Sequence, residues 1–126
     1  IAGMLNKEQK EILSIEEIIL TAGAETAKAD VFSGNTTISV IITNGKLTKA
    51  QAKKIASMAH DGYARTIRPS HTLVDGDTIF VMATGEVEVD LNTLGVLAAK
   101  TIEDSILRGV KKAKTIYGFK GFSDLV

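Results

Sequence analysis

SGNTTISVIITN, residues Ser33–Asn44, is the stretch that decides the fold of this chain. A turn of small polar residues, Gly34 and Asn35, runs directly into Thr37–Thr43, which is β-branched almost throughout. An apolar run without polar alternation predicts a strand that is buried on both faces. The same stretch raises a chemical question, because the boundary between turn and strand carries the hydroxyls of two consecutive threonines.

A helix and a second buried strand are predicted after this strand. Thr48 and Gln51 have the spacing of a capping box, which is typical of a helix N-terminus. The inner face of the helix is a stripe of small and apolar residues that allows close packing on a sheet: Ala52, Ile55, Ala56, Ala59 and Tyr63. The expected bounds are a turn at Asn44-Gly45, a helix over about Lys49–Ala64, a loop over 67–77 and a strand Thr78–Thr84 that Gly85 ends.

The flanking segments predict two more helices. Ser14 and Glu17 have capping-box spacing before a helix Ile15–Ala22, and a long helix runs from about Asp90 to about Lys114. The inner face of the long helix is expected to carry Leu94, Leu97, Ala98, Ile102, Ile106 and Val110. A strand stub over Ile1–Leu5 and a loop over Gly23–Asn35 complete the expected pattern.

The resulting order, strand–helix–strand–helix, places the chain in the α/β class. Two strands that are buried on both faces cannot cover themselves, and an isolated two-stranded sheet is marginal in water. The sequence therefore predicts a partner that supplies more sheet. That partner is another chain, an N-terminal region outside this sequence, or further copies in a homo-oligomer.

Composition narrows the functional classes. The 126 residues fit one domain, and 15 basic side chains balance 15 acidic ones, so no nucleic-acid partner is expected. The chain has no cysteine, which excludes disulfides and thiolate nucleophiles and fits a reducing, cytoplasmic location. No signal peptide or membrane-spanning run is recognised, so no membrane partner is expected.

Thr36 is the first candidate for chemistry. A threonine hydroxyl becomes a useful nucleophile when a base lies beside it, and the residue's own α-amine can be that base. A free α-amine has a pKa of about 7.7–8.0, so it accepts a proton near neutrality. This amine exists only after the Asn35–Thr36 bond breaks, which requires self-cleavage by the Thr36 hydroxyl. The alternative is that the threonines serve only the strand and the preceding residues only a turn.

The second candidate is the triplet Asp75-Gly76-Asp77, which comes just before the second strand. Residues two apart in extended chain project to the same side, so the two carboxylates could together orient a hydroxyl and an ammonium. The alternative is an ordinary Asp-Gly turn.

A third set, His60, Asp61 and His71, could join these carboxylates in a metal site, but its spacing is not diagnostic. We expect neither a metal nor a cofactor.

Three long motifs together resemble one known family. GNTTISVIITN, LTKAQAKKIASMAHDGYARTIRP and HTLVDGDTIFVMATG are similar to the L-aminopeptidase/D-esterase (DmpA-like) peptidases, which include β-aminopeptidases and nylon-oligomer hydrolases. A weaker similarity continues through DLNTLGVLAAKTIEDSI. The resemblance covers most of this chain but only roughly the C-terminal third of a typical family member.

The resemblance implies an N-terminal-nucleophile hydrolase that cuts itself into a large α and a small β subunit. Asn35 then matches the residue before the cut and Thr36 the nucleophile, with Thr37 as the fallback. Asp75 and Asp77 match the paired side chains behind the nucleophile. On this basis residues 1–35 are the end of an α-subunit-like region with a helix and a processing loop, and residues 36–126 are the β-subunit-like nucleophile region of one structural domain.

The family fold that the resemblance implies is an α/β/β/α sandwich, of which this chain holds an incomplete part. The family's larger N-terminal portion supplies much of both sheets and an asparagine of the oxyanion hole, and these have no counterpart in residues 1–33. A missing α-subunit-like segment, or other copies of the chain, is therefore the expected partner.

Three functional hypotheses follow. The leading one is a self-processing aminopeptidase or amidase that hydrolyses N-terminal amino-acid amides, esters or short peptides through an acyl-enzyme. The second is a truncated, non-enzymatic remnant that forms a homo-oligomer. The third is acyl transfer rather than hydrolysis, as in the related ornithine acetyltransferases.

Overall fold

The computed structural model describes residues 1–8, 10–23 and 36–125. Within these residues the structure has three helices, two strands and a short 3-10 helix. Their bounds are α1 Ile15–Ala22, β1 Ile38–Gly45, α2 Lys49–Thr66, β2 Thr78–Val87, α3 Leu91–Lys112 and the 3-10 helix Phe122–Asp124. The mixed α/β class predicted from the sequence is confirmed. Among the described residues no helix is long and apolar enough to cross a membrane.

The chain divides into two compact units, Gly34–Asp104 and Ile1–Ser33 with Ser105–Val126. The larger unit is built on a parallel pair of strands, β1 and β2, which α2 connects. Ile38 pairs with Thr78, and the register continues to Thr43 opposite Ala83. Since the strands are parallel, their first residues lie at the same edge of the sheet.

Both strands extend beyond their expected ends, which were Thr43 for β1 and Thr84 for β2. The turn predicted at Asn44-Gly45 is wrong, because Gly45 still pairs with Val87 after a shift in register. The expected end of β2 at Gly85 is also wrong. Gly85 adopts a φ of +79° within the strand, so it accommodates the irregular pairing instead of stopping it.

The helix α2 covers one face of the sheet. Its capping box is present as predicted, since Thr48 Oγ1 accepts from Gln51 N and Gln51 Oε1 accepts from Thr48 N. Ile55, Ala59 and Tyr63 have no exposed surface, which confirms the core of the predicted stripe. Ile41 of β1 and Ile79 of β2 are also buried, and both lie on the sheet face that α2 covers.

The opposite face of the sheet, here called the outer sheet face, is open within the described residues. Its five large apolar side chains are between 49% and 73% exposed: Ile38, Val40, Ile42, Phe80 and Met82. The prediction that both strand faces are buried is therefore wrong for the described part of the chain. Alternation along the strands places these residues on the side that α2 does not cover.

The helix α3 packs closely on α2. Asp90 Oδ1 accepts from Thr93 N at 2.7 Å and caps the helix at the predicted place. The buried stripe is Gly95, Ala98, Ala99 and Ile102. Leu97 was expected on the inner face and is 56% exposed instead. Small residues line the contact because the helices approach so closely that a Cβ on Gly62 of α2 would lie 2.6 Å from the Ala99 carbonyl oxygen.

The smaller unit contains α1 and the C-terminal end of the chain. Ser14 Oγ accepts from Glu17 N, and α1 has the predicted bounds Ile15–Ala22. The expected strand at Ile1–Leu5 is wrong, because this segment forms only a single antiparallel bridge between Leu5 and Ile12. Apart from Gly23, the loop predicted over Gly23–Asn35 lies outside the described residues.

Candidate active site

The candidate site lies at the edge where both strands begin. Thr36 precedes β1 by two residues, and Gly76 precedes β2 by two residues. Because Ile38 pairs with Thr78, this register brings Thr36 beside Gly76. A Cβ built on Gly76 would lie only 2.6 Å from Thr36 Oγ1, so the threonine hydroxyl occupies the space that a side chain at position 76 would need. Asn35 lies outside the described residues.

Asp77 contacts the backbone directly after Thr36. The Thr37 N–H donates to Asp77 Oδ1 at 2.8 Å across 40 residues of sequence. The Thr78 N–H in turn donates to the Thr37 carbonyl oxygen at 2.9 Å. Thr37 is therefore held at both backbone groups by the segment that begins β2, and the exposed Thr36 is the next residue outward.

Asp75 makes different contacts. Its Oδ2 accepts from Thr72 N at 2.7 Å, and its own N–H donates to the Thr72 carbonyl oxygen at 3.2 Å. These bonds close a turn within the loop before β2. The two carboxylates thus have separate hydrogen-bond partners: Asp77 reaches across to β1, and Asp75 shapes the loop that carries Asp77. The Thr72 hydroxyl oxygen is buried without a hydrogen-bond partner among the described residues.

Tyr63 belongs to this edge, although its sequence position indicated only packing. Its hydroxyl reaches Ser39 Oγ at 2.7 Å, the Thr37 carbonyl oxygen at 3.3 Å and the Thr78 carbonyl oxygen at 3.4 Å. Burial raises the pKa of Tyr63, the hydrogen bond with Ser39 lowers it, and the charge of Asp77 raises it, with a net increase. The one clue in the sequence is that a buried tyrosine needs a partner for its hydroxyl.

The two histidines are neighbours in space. His60 Nδ1 lies 3.3 Å from His71 Nε2, so a proton on one ring can be shared with the other. His71 adopts a φ of +58° in the loop before β2. Asp61 is exposed on α2. Within the described residues, no group of three histidine, aspartate or glutamate side chains is placed to hold a metal ion.

Comparison with known proteins identifies the family. The sequence model of peptidase family S58 matches residues 3–123. An uncharacterized aminopeptidase of Mycobacterium tuberculosis is 39% identical over 72% of this chain and 31% of the relative. An uncharacterized aminopeptidase of Mycobacterium leprae is 42% identical over 73% of this chain and 25% of the relative. A 6-aminohexanoate-oligomer endohydrolase of Paenarthrobacter ureafaciens is 32% identical over 71% of this chain and 29% of the relative.

The chain spans less than a third of the length of each of these relatives. The family match nevertheless covers nearly all of this chain, including both strands and the loop between α2 and β2. The resemblance to the L-aminopeptidase/D-esterase peptidases that the three sequence motifs carry is confirmed. The chain belongs to peptidase family S58.

Proposed function

We propose that this chain is the nucleophile-bearing part of a self-processing aminopeptidase or amidase. Membership of a peptidase family and the names of the relatives, aminopeptidase and oligomer endohydrolase, support hydrolysis of amide bonds. The observation that carries the residue assignment is the hydrogen bond from Thr37 N to Asp77 Oδ1, at 2.8 Å. It ties the residue after Thr36 to the acidic segment before β2.

The first proposed step is cleavage of the Asn35–Thr36 bond. The Thr36 hydroxyl adds to the Asn35 carbonyl carbon and loses its proton, and the C–N bond breaks as the nitrogen takes up a proton. Asn35 is then held as an ester on Thr36 Oγ1. Water hydrolyses this ester, which releases the Asn35 carboxylate and leaves Thr36 with a free hydroxyl and a free α-amine.

The second proposed step is turnover of substrate. The α-amine of Thr36 accepts the hydroxyl proton as Oγ1 attacks the substrate carbonyl, and it returns that proton to the leaving amine. An acyl-enzyme results, and water hydrolyses it. Asp77 orients the backbone that carries the nucleophile, and Asp75 shapes the loop that presents Asp77. The substrates are N-terminal amino-acid amides, esters or short peptides.

The partner proposal concerns the outer sheet face. An α-subunit-like segment, or other copies of the same chain, covers these five apolar side chains and supplies the donors of the oxyanion hole. Exposed apolar patches of this kind are typical of surfaces that pack against protein. An oxyanion donor contributes about 2.7–4 kcal/mol to transition-state stabilisation, so activity depends on this partner.

The test is the covalent state of the protein. Intact-mass measurement and N-terminal sequencing should find two polypeptides, one of which begins at Thr36. Thr36→Ala should give a single uncut chain without amidase activity, whereas Thr37→Ala keeps the nucleophile and should still be cut. A Thr36→Ala protein that hydrolysed amino-acid amides at the wild-type rate would show that the nucleophile is another residue.

A further inference from the structure

The hydroxyl of Tyr63 contacts the beginnings of both strands at once. The ring is fully buried under the sheet, and the hydroxyl lies 3.3 Å from the Thr37 carbonyl oxygen and 3.4 Å from the Thr78 carbonyl oxygen. Its shortest contact, 2.7 Å, is with Ser39 Oγ. Helix α2 thereby reaches the edge of the sheet at which Thr36 and Asp77 lie.

The available protons restrict how these groups can pair. A phenol has one proton to donate, whereas the two carbonyl oxygens can only accept. The Ser39 hydroxyl can do both. If Ser39 donates to Tyr63, the phenol proton is free for the carbonyl of Thr37 or Thr78. The Thr37 carbonyl also accepts from Thr78 N at 2.9 Å, so Tyr63 would supply its second hydrogen bond.

The consequence concerns the residue next to Thr37. Thr37 N is fixed by Asp77, and Thr37 O is fixed by Thr78 N and lies within 3.3 Å of the Tyr63 hydroxyl, so the peptide groups on both sides of Thr37 have defined positions. Thr36 lies one residue beyond, with its hydroxyl packed over Gly76. A misplacement of a reacting group by about 1 Å can cost roughly a hundredfold in rate.

We propose that Tyr63 is a positioning residue for the Thr36 nucleophile, acting through the carbonyl groups of Thr37 and Thr78. This inference rests on the proposed function of Thr36. Among the described residues the Tyr63 hydroxyl bonds to Thr37, Ser39 and Thr78 rather than to Thr36. Its role is to set the spacing between the two strand ends that carry Thr36 and Asp77. Burial, and to a lesser extent the negative charge of Asp77, raises the pKa of Tyr63, which helps to keep the phenol proton in place for this bond.

The test removes only the hydroxyl. Tyr63→Phe should lower the rate of cleavage before Thr36 and kcat for an amino-acid amide by about tenfold or more per folded molecule, with KM changed much less. The matched control is Tyr117→Phe, because Tyr117 is the only other tyrosine and is 91% exposed. That control should behave as wild type. Wild-type kcat in Tyr63→Phe would overturn the proposal.

Ser39→Ala separates the carbonyl contacts from the contact with serine. It removes the nearest partner of Tyr63 but leaves the phenol proton for the carbonyl of Thr37 or of Thr78, so the loss in kcat should be clearly smaller than for Tyr63→Phe. Equal losses in the two variants would mean that the Ser39 contact matters and that the carbonyl contacts do not.

Amide hydrogen exchange provides a readout that does not depend on activity. The Thr78 N–H donates to the same carbonyl that Tyr63 contacts, so Tyr63→Phe should speed its exchange while amides in the middle of α3 keep their protection. If the wild-type chain is neither cut nor active, the proposed function fails, and this exchange still decides whether Tyr63 holds the strand ends. Unchanged exchange at Thr78 would overturn the inference.

Discussion

Asp77 Oδ1 accepts the Thr37 N–H at 2.8 Å, so a carboxylate before β2 anchors the backbone before β1. Asp77→Ala removes this acceptor and leaves a half-buried N–H without its partner, which should cost about 1–3 kcal/mol in the free energy of unfolding. Asp77→Asn keeps an oxygen acceptor and should cost less. Urea denaturation measures both, with exposed Asp61→Asn on α2 as the control. Equal midpoints for Asp77→Ala and Asp61→Asn would contradict the anchoring role.

Gly76→Ala tests whether cleavage requires the close packing of Thr36 over Gly76. The new methyl would lie about 2.6 Å from Thr36 Oγ1, closer than atoms can approach, so the exposed threonine must move. We expect a large loss of cleavage before Thr36 with a small change in stability. Gly109→Ala in α3 is the control, because its new Cβ would meet no described atom within 4 Å apart from its chain neighbours and the backbone of its own helix. A Gly76→Ala chain that was cut at the wild-type rate would show that the close packing of Thr36 over Gly76 does not matter for cleavage.

The raised pKa of Tyr63 predicts how stability depends on alkaline pH. The folded state holds the phenol proton more tightly than the unfolded state, whose tyrosine pKa is about 10. The contribution of protonated Tyr63 to the free energy of unfolding is therefore complete below about pH 10, and it is lost as the pH rises through the folded-state pKa. Urea midpoints measured from pH 8 to about pH 11 should fall more steeply for wild type than for Tyr63→Phe. Parallel curves would refute the raised pKa.

The close contact between α2 and α3 predicts that alanine is tolerated less well at Gly62 than at Gly95. Alanine at Gly62 would press on the Ala99 carbonyl and on Ile102 Cβ, 2.6 and 2.7 Å away, so the helices must separate. We expect a loss of about 1–3 kcal/mol. Alanine at Gly95 would press mainly on the thioether end of Met58, which can swing away, and would touch Met58 Cβ at an ordinary 3.4 Å. Gly95→Ala should be the milder change in urea denaturation, and the reverse order would show that the helices are not so closely packed.

The outer sheet face predicts association with a partner. A charge at its centre, in Ile42→Glu or Phe80→Glu, should weaken assembly because a buried carboxylate without a partner is costly. Sedimentation velocity on the purified protein should show a smaller species for these variants than for wild type. Leu20→Glu, at an 82% exposed position on α1, is the control. Unchanged sedimentation would mean that the partner binds elsewhere.

The elements of the fold were predicted well where local chemistry decides them. The capping residues Ser14 and Thr48 mark the first turns of α1 and α2, because their hydroxyls satisfy N–H groups only a few residues away. The ends of the strands were missed, since Gly45 still pairs with Val87 and Gly85 lies within β2, at an irregular pairing that depends on the other strand. Leu97 was misplaced because the tight approach of α2 selects small residues for the buried face of α3.

The candidate site could be predicted only in part. Thr36 and the Asp75–Asp77 segment each precede a strand, so parallel pairing alone brings them to one edge of the sheet. The separate roles of the two carboxylates depend on the turn at Thr72, which the sequence does not specify. Tyr63 was recognised only as a packing residue, because the partners of its hydroxyl lie 15 to 26 residues away along the chain.

The paired backbone of Thr37 has a consequence for a chain that is cut before Thr36. The end of a polypeptide normally frays over several residues. Here both backbone groups of Thr37 are hydrogen-bonded to the segment that begins β2, so fraying of the new end would stop after one residue. Scission would release the amine without releasing the hydroxyl, and both groups would stay at high effective concentration above Gly76 through repeated turnovers.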